Sequence, residues 1–139
     1  MKQTLFAIIG IIGSFIANLL GGWDMALQTL VLFMAVDYIT GLIVAGVFKK
    51  STKTENGALE SKAGFKGLCK KGMVLLYVLV ATQVDRFTGT TFIRDAVVIG
   101  FVANEALSIL ENGGLMGVPY PKKLKDAIAV LKNKESDAS

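Results

Sequence analysis

The segment that most constrains this chain runs from Met25 to Phe48, where Asp37 is the one charged residue before the pair Lys49-Lys50. About 20 apolar residues carry a helix across a ~30 Å hydrocarbon layer. A run of this length, almost free of charge, predicts a membrane-spanning helix. Three further apolar segments accompany it, giving approximate spans of 5–22, 25–48, 72–87 and 91–110. The expected fold is therefore all-α: an integral membrane protein of about four transmembrane helices, in one membrane domain covering 1–139. The third segment is short for a crossing and needs Thr82, Gln83, Asp85 and Arg86 near the lipid boundary or a thinned bilayer. The fourth is interrupted by Arg94, Asp95, Asn104 and Glu105. A three-crossing arrangement competes with this reading, as does a cleaved signal peptide for the first segment, because Lys2 precedes an apolar run.

Composition agrees: 53% of the 139 residues are hydrophobic and 19% charged, fewer charges than a soluble domain carries. The 13 lysines are Lys2, seven between Lys49 and Lys71, and five between Lys122 and Lys134. The connections 21–24 and 85–90 contain none. With four crossings, all lysine-bearing parts fall on one side, which the positive-inside rule makes cytoplasmic. Both termini, the 49–71 loop and the 117–139 tail are thus expected in the cytoplasm. The net charge of +4 is explained by orientation and contact with anionic membrane lipid, not by nucleic acid.

Within the loop, Lys62, Lys66 and Lys70 recur every four residues, with Lys71 beside them, so a short basic helix lying on the lipid surface is expected from Leu59. Gly57, Gly64 and Gly67 favour a solvated loop instead. After the fourth segment, Pro119 and Pro121 impose a turn. Leu124, Ile128 and Leu131 then mark a short amphipathic helix, ending in a tail, ESDAS, expected to fray.

Catalysis is not expected. The chain has no histidine, the commonest general base, and its single cysteine, Cys69, can form no internal disulfide. No phosphate loop, zinc motif or nucleophile–base pair is present, so no catalytic, cofactor-binding or metal-binding residue is nominated.

Two kinds of feature remain. Small residues at helical spacing let helices approach closely in lipid: Gly13, Ala17 and Gly21 in the first segment, Ala96 and Gly100 in the fourth. Polar residues that lipid would reject form the other kind: Asp37 and Thr40 in the second segment, Asn104, Glu105 and Ser108 in the fourth. An ionised carboxylate mid-helix costs at least ~2.5–3.5 kcal/mol on insertion scales, so Asp37 and Glu105 require an explanation. They could be protonated, accept hydrogen bonds from Asn104, Thr40 or lysines descending from the loop, or face water inside an assembly of several copies. An internal network, a lumen or assembly seam, and a proton relay all fit the periodicity.

Four motifs carry a family resemblance: VDYITGLIVA at 36–45, SKAGFKGLCKKG at 61–72, NEALSILEN at 104–112 and GVPYPKKL at 117–124. In this order they resemble the phage-lysis and toxin-secretion holins, over about residues 25–125. The resemblance implies a protein that accumulates in the cytoplasmic membrane, self-associates as a homo-oligomer and suddenly opens lesions. These would release an endolysin, a functional partner that need not bind directly, or a large toxin. It implies no cofactor. Its motif positions here include Asp37, Thr40, Gly41, Lys62, Lys66, Lys70, Lys71, Asn104, Glu105, Ser108, Glu111 and Asn112. A small ion channel or proton-coupled multidrug exporter is the alternative of a different class.

Overall fold

The computed structural model describes the backbone of residues 1–138 and side chains through Lys134. Among the described residues five helices follow one another: α1 (Lys2–Leu19), α2 (Met25–Ile43, prolonged by a π-helical turn, Val44–Phe48), α3 (Ser61–Thr88), α4 (Ile93–Leu115) and α5 (Lys122–Ala138). No strand occurs among the described residues.

Local chemistry sets the helix ends. Gly21 and Gly22, at φ +93° and +104°, reverse the chain after α1, and Gly22 N–H closes onto Ala17 O at 2.8 Å. The Asp24 carboxylate accepts from Leu27 N at 3.0 Å and so caps α2. The π turn ends at Lys49 in the left-handed region, and Gly57 (φ +77°) returns the loop onto it, leaving no room for a Cβ beside the Lys49 carbonyl. Gly89 terminates α3 in the same conformation. Pro121 immediately precedes α5, a position where its missing N–H costs nothing.

The core comprises Leu20, Leu27, Leu30, Met34, Val78, Val98 and Val102. The helix α4 is central and packs on α2, α3 and α5. By contrast, α1 buries none of its residues, and no atom outside the helix lies within 4 Å of a Cβ built at Gly10 or Gly13.

Among the described residues, three helices are long and apolar enough to cross a membrane: Lys2–Leu19, Met25–Phe48 and Ser61–Thr88. The expected fourth, α4, is not among them; it carries Arg94, Asp95, Glu105 and Glu111. The 49–71 loop also differs from expectation. It is cut back to 49–60, because Ser61–Lys71 forms the first turns of a continuous 28-residue α3. Among the described residues no separate surface helix exists there, and the third candidate span lies within this longer helix. Gly64 and Gly67, read as loop residues, instead lie in α3 against Tyr38 of α2, whose hydroxyl donates to the Gly64 carbonyl at 3.3 Å. Finally, α5 continues to Ala138, where a frayed tail was expected; Ser139 lies outside the described residues.

Candidate functional site

Three helices each contribute one charge to a shared ionic cluster. Lys71 of α3 places Nζ 2.8 Å from Asp37 Oδ2 of α2 and 2.9 Å from Glu105 Oε2 of α4. All three side chains are largely withdrawn from solvent, at 16%, 5% and 11% exposure respectively. Two turns along α4 from Glu105, on the same face, Asn112 donates through Nδ2 to Asp37 Oδ1 (3.0 Å), the Asp37 carbonyl (3.2 Å) and Thr40 Oγ1 (2.8 Å). Thr40 returns its hydroxyl hydrogen to the Val36 carbonyl at 2.8 Å. Charge-assisted bonds of this length are among the stronger polar contacts, and they answer why Asp37 can stand mid-helix: its oxygens meet Lys71 and Asn112.

Beside the cluster lies a cavity of about 330 Å³, lined among others by Asp37, Gly41, Val44, Lys71, Asn104 and Ser108. Gly41 of α2 faces Asn112, with a Cβ there in ordinary contact at 3.9 Å from Nδ2. Asn104 is exposed and Ser108 half-buried.

The other candidates are placed differently. Gly100 is buried in α4. Gly13 is exposed and Ala17 half-exposed on α1. Gly21 does not extend their helical row, because α1 ends at Leu19 and Gly21 turns the chain beneath Arg94. Lys62, Lys66 and Lys70 are exposed, but Lys71 does not stand with them at the surface. One residue along a helix turns about 100°, which carries Lys71 from the basic face into the bundle.

A second polar cluster ties together the opposite end of the bundle. Arg94 grips Asp24 through both terminal nitrogens (Nη1–Oδ2 2.6 Å, Nη2–Oδ1 3.1 Å) and donates to the carbonyls of Leu20 (3.0 Å) and Gly22 (3.2 Å). Asp85 of α3 accepts from Ile93 N and Arg94 N at 3.1 and 2.9 Å and from the Thr90 hydroxyl at 2.6 Å. A carboxylate thus caps α4 where the helix dipole favours it. The Arg94 hydrogen bonds hold the Asp24 carboxyl below its ordinary range, against the opposing effect of burial. Arg86 reaches α1 through Asn18 O at 2.7 Å. In sequence Arg94 shows only as a charge interrupting an apolar segment, and its partner Asp24 lies 70 residues away.

Among the described residues no His, Cys, Asp and Glu side chains group as a metal site. What the two clusters supply is electrostatic: charges satisfied between helices that would need water if the helices parted.

Comparison with known proteins gives a consistent result. The model of the bacteriophage holin family matches residues 14–133. The chain is 39% identical to a 14.9 kDa protein in the nagH 3′ region of Clostridium perfringens, with 89% of each chain covered. A protein of Listeria innocua is 40% identical, over 93% of this chain and 89% of its own. A probable holin of Bacillus phage phi105 is 31% identical, over 77% of this chain and 74% of its own. No solved structure matches.

Proposed function

This chain belongs to the bacteriophage holin family, and we propose on that footing that it assembles in the cytoplasmic membrane and opens non-specific lesions releasing an endolysin or, in a toxin-secreting setting, a large toxin. The observation that carries the reading is the Asp37–Lys71–Glu105 network, one charge from each of three helices. In the compact state these groups satisfy one another and need no water. Once the helices part, the same groups prefer a wet lumen to lipid, so the surfaces hidden in one state are suited to line a lesion in the other.

In this reading α4 is the fourth crossing. Its charged residues turn toward α2, α3 and the polar bundle ends, so its composition is no bar to burial inside the bundle. The N-terminus, the 49–60 loop and α5 lie on the cytoplasmic side, where the lysines are concentrated. The bare flanks of α1 meet lipid or another copy, with Gly13 and Ala17 allowing close approach. The lysines at 62, 66 and 70 contact anionic lipid.

The test is induction of the chain in bacteria with and without a cytoplasmic endolysin. Abrupt clearing that depends on the endolysin supports a holin. Viable cells, or loss of potential without clearing, support a channel or exporter. Replacing either carboxylate, Asp37→Ala or Glu105→Ala, leaves Lys71 with one partner, and onset of lysis is expected earlier. Unchanged timing at matched expression refutes the role given to the network.

A further inference from the structure

The apolar residues of α5, Leu124, Ile128 and Leu131, form one stripe, and Lys122, Lys123, Lys125, Lys132 and Lys134 lie off it. In the structure the later part of this stripe turns back onto the bundle: Ile128 is 4% exposed and Leu131 packs against the core, whereas Leu124, at the start of the helix, is 47% exposed. The cover it provides is visible on α4. Ala103 precedes Asn112 by nine residues, two and a half turns, and so lies on the opposite side of the helix. Asn112 faces α2, yet Ala103 is fully buried. Of the three helices that pack on α4, α2 and α3 bond to its polar face, and by elimination we assign the cover of the far side to α5.

That position conflicts with a bilayer. Between Lys122 and Leu131 the strand of helix descends about 14 Å alongside α4, close to half of a ~30 Å hydrocarbon layer. Lys125 and Asp126 descend with it, and Lys132 follows at once. The same lysine-flanked stripe fits another surface, an anionic bilayer face, where the apolar residues enter the headgroup boundary and the lysines meet lipid charge. One stripe cannot occupy both places.

We propose that α5 is a two-position strap, docked on α4 without anionic lipid and moved to the bilayer surface by it, so that lipid binding uncovers the Ala103 side of α4. The proposal rests on the reading of α4 as a crossing helix. Once uncovered, that side is open to a second copy, which makes lipid charge a control on assembly.

The experiment uses the full chain with Cys69→Ser, an exposed site outside both clusters, and spin labels at Thr91→Cys and Lys134→Cys, both exposed positions. Docked, the labels are separated by about 18 Å along the α4 axis. With α5 on the cytoplasmic face and Thr91 at the other, they are at least ~30 Å apart. The shorter distance is expected in uncharged detergent and the longer in vesicles of phosphatidylglycerol and phosphatidylcholine. A short distance in those vesicles, or a long one in detergent, overturns the strap. Ile128→Asn is expected to give the long distance in detergent with helical content unchanged; a short distance there overturns docking through the stripe. A chain that switches but clears no culture refutes the holin reading alone. One that lyses cells with the label distance unmoved refutes the strap alone.

Discussion

Substituting Lys71 by methionine tests the central energetic claim. The side chain keeps an unbranched apolar stem, one atom shorter, but loses the ammonium that two carboxylates share. Their oxygens, 2.8 and 2.9 Å from one nitrogen, then face each other within about 6 Å, where like charges repel by about 3 kcal/mol at an effective dielectric of ~20. Removing one partner from a buried ionic cluster generally costs ~3–5 kcal/mol, so Lys71→Met is expected to destabilise the bundle by about that amount. The triple variant Asp37→Asn, Lys71→Met, Glu105→Gln removes all three charges and is expected to recover most of the loss, because a neutral cluster of similar volume lacks both the repulsion and the desolvated charge. Helicity followed through a titration from mild detergent into dodecyl sulfate gives the comparison. A single variant within ~0.5 kcal/mol of the native chain, or a triple variant as unstable as the single one, refutes the reasoning.

Two further outcomes concern the opposite end. Arg94→Lys keeps the charge but cannot hold Asp24 with two nitrogens while reaching the carbonyls of Leu20 and Gly22; a loss of roughly 2–4 kcal/mol is expected, with faster amide exchange across 18–24 read by mass spectrometry. The Asp24 carboxyl titrates below its unfolded value of 3.8, so its stabilising contribution is complete above that pH and lost as pH falls through the lower folded value. The difference in melting temperature between the native chain and Asp24→Asn should therefore hold steady from pH 8 to about 5 and narrow only below about 4; a gap that narrows near neutrality contradicts the assignment.

Much of the fold was legible locally. The apolar runs of α1, α2 and α3 announced themselves, because insertion into lipid sums over neighbouring residues in one segment. The turn at Pro119 and Pro121 and the stripe of α5 were equally open to reading. The site was legible by half. Asp37, Thr40 and Glu105 stood out as polar groups in apolar surroundings, and the structure brings them together. Lys71 did not, since its neighbour Lys70 gave it the look of a surface charge, and only the continuity of α3 turns it inward. Asn112 entered through the family resemblance alone. The glycines at 64 and 67 looked like loop residues because nothing near them in sequence reveals that they lie on the side of α3 that meets Tyr38.

By itself, then, the sequence determined that this chain seeks a membrane, that lysines gather at one end of its helices, and that certain carboxylates require partners. Tertiary structure decided who those partners are: Lys71 for Asp37 and Glu105, Asp24 for Arg94, α4 for the stripe of α5. The reason is physical. Transfer from water to lipid depends on each segment's own side chains, whereas pairing depends on the rotation and register of one helix against another. Those relations are set by packing between residues distant along the chain, and no local period records them.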